Sequence, residues 1–282
     1  MNGINLDYVQ AARLKLPTYE KALLVLVGCG GTGSWLAPAV ARVARLLQER
    51  FDKETMVVFA DPDLVEEKNV YRQNFCAAEI GRNKAVTLAE RYGLSWGIEI
   101  VSVARALELA SEWWNGLSRN MIDHRTLAVM IGCVDGHTGR KAIDSCVQAE
   151  YRPVWWLDCG NEKNSGQVLL GRSKNEEKPF SLPGFCSWLP LPSAQAPDLV
   201  VGGEMTINAS QVGISCAEMA LQDSQGLAIN QRMASEAADF LVRMLITQDL
   251  RKMATYIDLE SGVSRSRYIT PGNVSMETVR NA

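Results

Sequence analysis

Ala22-Leu-Leu-Val-Leu-Val27 runs without a break into Gly28-Cys29-Gly30-Gly31-Thr32-Gly33-Ser34. A short apolar run ending in glycines fits a strand buried on both faces of a parallel sheet. Glycines let the chain turn tightly and let a ligand approach bare backbone. Beyond the turn, Leu36, Val40, Val43, Leu46 and Leu47 recur at helical spacing through 33–50. A helix that starts here offers free N–H groups and a positive dipole end to a phosphate. The pattern Gly28-x-Gly30-x-x-Gly33, set between strand and helix, is the dinucleotide-binding arrangement; the GK[ST] of a Walker loop is absent. Gly28, Gly30, Gly31 and Gly33 are the candidate glycines of a nucleotide site.

Working outward, strands are predicted at 55–60, 98–103, 127–131 and 154–157, and helices at 82–93, 107–117 and 138–150. This alternation predicts a Rossmann-like, doubly wound α/β sheet. After residue 160 the pattern changes. GQVLLG at 166–171 reads as an antiparallel strand, 173–203 as a long proline-rich mobile loop, and 229–245 as an amphipathic helix. Two further strands are predicted near 255–259 and 265–270. The sheet is therefore expected to be largely parallel, with antiparallel strands in the C-terminal part. The whole chain, 1–282, reads as one domain. Its nucleotide-binding half is 21–160, and 161–282 is the half for partner binding and dimerisation.

Composition narrows the classes. Of 282 residues, 47% are hydrophobic and 22% charged, which is globular rather than disordered. The formal charge of −3 gives no chain-wide cationic field for nucleic acid. No apolar run approaches the roughly 18 residues of a membrane span, and the first residues lack a secretory pattern. Seven cysteines without a spaced framework read as reduced thiols in a cytoplasmic protein. Two histidines, His124 and His137, leave little for a histidine metal cluster.

Asp61 ends the second strand, where a Rossmann-like site places an acid on a ribose hydroxyl. It opens the stretch Asp61-Pro-Asp63-Leu-Val-Glu66-Glu-Lys-Asn69-Val-Tyr-Arg72-Gln73, and Gly81-Arg82-Asn83-Lys84-Ala85 follows. A hydride-transfer enzyme has no need of so many charged and amide groups just past the ribose acid; a triphosphate has. Arg72 offers a planar fork, Lys84 a point charge, and Asn69 and Gln73 amide hydrogen bonds. Gly132-Cys-Val-Asp135 closes the fourth strand. Ligands of open α/β sheets lie outside the carboxyl ends of the strands, so Asp135 is placed to hold Mg²⁺ between phosphate oxygens. Arg140 follows five residues later. An NAD(P)-dependent oxidoreductase and a non-catalytic nucleotide-binding scaffold are the alternatives.

GCGGTGS at 28–34, DPDLVEEKNVYRQ at 61–73, GRNKA at 81–85 and CVDGHTGR at 133–140 resemble, in that order, the ThiF/MoeB family, bacterial relatives of the ubiquitin-activating enzymes. Within that family the chain most resembles the ThiF-like proteins of the plasmid-associated PRTRC gene cluster. The resemblance implies adenylation of the C-terminal carboxylate of a ubiquitin-like or sulfur-carrier protein ending in glycine. ATP would lie over Gly28–Gly33 with Asp61 on its ribose. Asp63 belongs to the same motif. Asn69, Arg72, Gln73 and Lys84 would engage phosphates, with Mg²⁺ on Asp135. A homodimer is implied, with Arg13 given across it, as is a downstream acceptor like a conjugating enzyme.

By the same resemblance Cys216, ahead of the 229–245 helix, is the candidate thiol for an acyl group or persulfide. A buried structural cysteine is the competing reading. Cys29 reads as a small residue of the glycine loop and Cys133, Cys146 and Cys159 as small core residues, while Cys76 reads either way and Cys186 lies in the proline-rich loop. Many relatives bind zinc through two CxxC pairs; there is no CxxC here, so no zinc is expected. One tryptophan of each pair, Trp113-Trp114 and Trp155-Trp156, is expected in the core, and His137 at a helix start on the surface.

Overall fold

Lys21–Val27 sends Leu23 and Val25 to one face and Leu24 and Leu26 to the other, and all four are buried. A strand buried on both faces needs a helical layer on each side, and the chain supplies both. The computed structural model describes residues 7–108, 111–174, 176, 178–201 and 227–279. Along it run α1 (Asp7–Gln10), β1 (Arg13–Leu14), β2 (Lys21–Val27), α2 (Gly31–Phe51), β3 (Glu54–Ala60), α3 (Lys84–Trp96), β4 (Ile100–Val103), α4 (Glu112–Met121), β5 (Thr126–Gly132) and α5 (His137–Ala149). Then come β6 (Val154–Asn161), β7 (Ser165–Arg172), β8 (Phe185–Cys186), α6 (Pro192–Gln195), α7 (Leu227–Leu245), β9 (Lys252–Asp258), β10 (Val263–Tyr268) and α8 (Pro271–Val279).

The main sheet has eight strands in the order β10-β9-β7-β6-β5-β2-β3-β4. From β6 to β4 all neighbours are parallel; β6–β7, β7–β9 and β9–β10 are antiparallel. The chain leaves β2 toward β3 and β4, then returns to place β5 on the other side. The carboxyl ends of β2 and β5 thus flank a topological switch point, where such sheets bind ligands.

One apolar layer packs Leu24, Leu26 and Phe59 against α2 and α7; the other packs Leu23, Val25, Met130 and Trp156 against Trp114 of α4 and Ile143 of α5. Trp155 and Trp156 are both buried, one in each layer. This corrects the expectation of a single core tryptophan there: successive residues of a strand point to opposite faces, and β6 is covered on both. Trp114 is the core member of the other pair. The helix predicted at 107–117 is displaced to Glu112–Met121. Over 178–201 the proline-rich stretch is tied down. β8 pairs with β1, and Gln195 Nε2 donates to the carbonyls of Leu170 and Pro190, both at 2.8 Å. Among the described residues no helix is long and apolar enough to cross a membrane.

Candidate functional site

At two positions of the turn after β2, Gly28 and Gly33, only glycine fits. Gly28 has φ +90°, and a Cβ there would stand 2.5 Å from the Cys133 carbonyl oxygen. A Cβ on Gly33 would stand 1.9 Å from the Gly28 carbonyl oxygen. Gly30 differs. It precedes α2, no side chain caps that helix, and a Cβ on Gly30 would meet only Gln73 Nε2, at 3.7 Å. The packing does not require a glycine at 30; the bare backbone there leaves the helix N-terminus open to the approach of a ligand.

A cavity of about 400 Å³ opens at this turn, lined among others by Gly28, Gly30, Asp61, Asp63, Asn69, Arg72, Gln73, Lys84 and Asp135. The structure therefore brings together nearly the whole set of residues read from sequence. Gly31 and Gly33 stand behind the lining, buried in the first turn of α2. Lys68 and Arg105 also line the cavity and were not anticipated.

Each side chain has a local reason for its place. Asp61 accepts the Cys29 N–H (2.6 Å) on one carboxylate oxygen and the Asp63 N–H (2.9 Å) on the other. Burial raises its carboxyl above the usual range, while these two N–H groups and Lys84 pull the other way. Lys84, only 7% exposed, donates to Asp63 Oδ2 at 2.9 Å. Its ammonium is thus stored beside an exposed carboxylate and needs little rearrangement to meet a phosphate. Asn69 is buried, and its Oδ1 accepts the Glu66 N–H in a capping box; only its NH₂ remains for a ligand. Gln73 is buried, and its Oε1 has no partner among the described residues. Such an orphan acceptor is costly; a donor such as a ribose hydroxyl or a base amine would relieve it, whereas a phosphate oxygen, itself an acceptor, could meet only the NH₂ of that amide. The Arg72 backbone is fixed by two donors on its carbonyl, Trp35 Nε1 (3.4 Å) and Asn230 Nδ2 (3.5 Å).

Three supporting groups escaped the sequence reading. Pro38 lies inside α2 and has no N–H for the Ser34 carbonyl, so Asn74 Nδ2 donates there at 3.2 Å. The Asn74 backbone N–H also donates to the Ser34 hydroxyl oxygen at 2.9 Å, which ties the 61–83 crossover to the glycine helix. Asn83 caps α3 through Val86 N–H and donates to the carbonyls of Asp61 and Asp63. Thr32 Oγ1 donates to Asn161 Oδ1 (2.9 Å), and Asn161 Nδ2 to Asn230 Oδ1 (3.1 Å). The sequence signal for this last chain is an asparagine, Asn230, at helical spacing from Met233 and Ala237 on the apolar face of α7, where the structure buries it fully.

Asp135 is exposed and lines both this cavity and a second one of about 680 Å³. No group of three or more His, Cys, Asp or Glu among the described residues is arranged to hold a metal. One or two carboxylates are nevertheless the usual protein share of a Mg²⁺ site, since that ion takes most of its ligands from water and substrate phosphates. The residues present fit that group.

The thiols divide by environment. Cys29, Cys133, Cys146, Cys159 and Cys186 are buried and Cys76 is exposed; Cys216 lies outside the described residues. Burial pushes the Cys146 and Cys186 thiols to about 11 and raises Cys29 well above the ordinary range. Burial also shuts out the reagent, so iodoacetamide at neutral pH should label the exposed Cys76 fast and the five buried thiols at least about ten-fold slower until urea is added. Peptide-mapped mass spectrometry reads this site by site, and fast native labelling of Cys29 would contradict the packing described. Arg13 is exposed in β1. His137 begins α5, with Nδ1 3.2 Å from the Leu199 carbonyl oxygen.

A family model described as the ThiF family matches residues 11–233. Solved structures of like fold include Escherichia coli MccB with ATP, at 14% identity and TM-score 0.52, over 89% of this chain and 64% of that one. PaaA aligns at 15% and 0.53, over 88% of this chain and 64% of that one. MccB with AMPCPP and MccA aligns at 14% and 0.53, over 94% and 66%. The chain thus spans slightly less than two thirds of the length of these proteins. No curated protein matches the sequence.

Proposed function

Since the chain belongs to the ThiF family, we propose that it adenylates the terminal carboxylate of a peptide or small protein at the expense of ATP. The observation that carries this reading is the convergence, in one cavity at the sheet's switch point, of an uncapped helix N-terminus, Arg72, Lys84 and Asp135. The reported forms of MccB with ATP and with MccA support it.

In this reading the triphosphate lies on the bare backbone of Gly28–Gly33. The Asp61 carboxylate, already fixed by two N–H groups, keeps lone pairs for the ribose hydroxyls. Lys84 passes from Asp63 to a phosphate oxygen, and Arg72 grips another pair. Asp135 would hold Mg²⁺, which when bound neutralises charge on the phosphates. The substrate carboxylate oxygen attacks the α-phosphorus, forming a P–O bond as the bond to pyrophosphate breaks. The products are an acyl-adenylate and pyrophosphate. No proton transfer is required, so the side chains position and neutralise. The substrate we favour is a ubiquitin-like or sulfur-carrier protein ending in glycine, activated by a homodimer with Arg13 reaching the neighbour's site. Cys216 is then the candidate acceptor of the acyl group, on the way to a conjugating-enzyme-like acceptor.

The test is exchange of labelled pyrophosphate into ATP, dependent on Mg²⁺ and on an added protein with a free C-terminus. Exchange is expected with the cognate carrier. Binding of NAD(H) in preference to ATP would overturn the reading, and ATP binding with no exchange across all candidate carriers would reduce the protein to a nucleotide-binding scaffold.

A further inference from the structure

The larger cavity has a feature that nucleotide binding does not use. Its floor is laid by the antiparallel part of the sheet, with Gly160, Gln167, Tyr256 and Arg265 among its lining residues. Arg140 lines it too, from α5. Arg140 is 7% exposed, and its Nε donates to both carboxylate oxygens of the fully buried Asp158, at 3.2 and 3.3 Å. Among the described residues its two terminal nitrogens have no hydrogen-bond partner. Nη2 lies over the bare Cα of Gly160, where a Cβ would stand 2.7 Å away. Gly132 lies beside the pair: a Cβ there would press on Ile143 and Trp156 and come into ordinary contact, at 3.5 Å, with Asp158.

A buried ion pair is not needed for stability, because apolar residues of like volume usually serve as well or better. Burial even pushes the Asp158 carboxyl up to about 6, against the pull of Arg140. Gly160 and a buried carboxylate therefore hold a guanidinium that lines a cavity. A guanidinium bound only through Nε keeps a planar, bidentate donor pair of the kind that matches a carboxylate. Its chain neighbour Gly139 lines the nucleotide cavity, and Asp135 lines both. We propose that Arg140, held in place by Asp158, is the receptor for the free terminal carboxylate of the acyl substrate, presenting it at the wall shared with the nucleotide cavity. The receptor role rests on the adenylation reading only for what happens to that carboxylate next.

The probe is a degenerate pentapeptide mixture ending in glycine, as free acids and as C-terminal amides, titrated against the whole chain without nucleotide. The wild type is expected to prefer the acids by about ten-fold or more, the worth of one charge-assisted pair. Arg140→Gln should bind acids and amides alike, and Arg140→Lys should recover part of the preference. Because Arg140→Gln leaves Asp158 buried without its partner, the double variant Arg140→Gln, Asp158→Asn removes both charges and should show the same loss in a folded protein. All variants should bind AMP-PNP with wild-type affinity, a readout that a general structural defect would move. No acid preference in the wild type, or a preference kept in the double variant, overturns the proposal. Acid preference as expected, but no AMP-PNP binding by the wild type, would strike the adenylation reading and leave the Arg140 site standing.

Discussion

Gly33→Ala is expected to abolish nucleotide binding and to lower the unfolding free energy by about 3 kcal/mol or more. The added Cβ would stand 1.9 Å from the Gly28 carbonyl oxygen and 3.2 Å from Cys133 Cβ. Neither neighbour can yield cheaply. Gly28 is held by its N–H to the Ala60 carbonyl (2.9 Å), and Cys133 by its N–H to the Val27 carbonyl (2.8 Å). The clash therefore displaces the turn that connects β2 to α2, and with it the helix N-terminus that faces the cavity. Gly30→Ala is the control. Its Cβ would meet no protein atom closer than 3.7 Å, so its urea midpoint should stay near wild type. Its affinity for ATP should nonetheless fall by about ten-fold or more, because the methyl group occupies ligand space. Urea unfolding and nucleotide titration of the two variants separate a glycine required by the fold from one required by the ligand. Equal stability of Gly33→Ala and wild type would refute the close approach at the turn.

The same contrast explains what could be read without the structure. Buried parallel strands must be apolar runs, so Lys21–Val27 and Thr126–Gly132 stand out in the sequence. A tight glycine turn has a local cause and is equally legible. The charged groups at 61–84 were legible as a set because their density has no use at a plain surface. Their resting arrangement was not: that Lys84 rests on Asp63, or that Asn69 Oδ1 is taken by the Glu66 N–H, depends on how the crossover folds back. Asn74 shows the limit well. Pro38 announces a carbonyl without a donor, but only the tertiary fold says which side chain serves it. The second cavity was invisible for a related reason. Its floor comes from β7, β9 and β10, whose pairing brings Ser165 opposite Asp258, and nothing local in either segment names the other. Arg140 could be seen as a charge near Asp135; its burial against Asp158 could not.

Asp135→Asn should reduce pyrophosphate exchange by about three orders of magnitude while leaving the fold intact. The side chain is exposed at the lip between the two cavities, so the isosteric amide should move the melting temperature by no more than about 2 °C. In the proposed reading the loss is catalytic, because there the carboxylate's negative charge would anchor a divalent ion at the phosphates; an amide keeps the shape and removes the charge. Stabilisation of this electrostatic kind is typically worth about 10²–10³ per donor, with a metal adding Lewis-acid assistance. Lys84→Met is the informative companion. Lys84 is nearly buried and paired with Asp63, so its loss should weaken ATP binding even without metal, whereas Asp135→Asn should bind metal-free ATP as the wild type does. The two variants are distinguished by titrating Mg²⁺ at fixed ATP. Asp135→Asn should need far more metal for whatever exchange remains, and Lys84→Met should keep its metal midpoint. If Asp135→Asn retains exchange within about three-fold of wild type, the ion is held elsewhere, and the carboxylates of Asp61 and Asp63 become the groups to substitute.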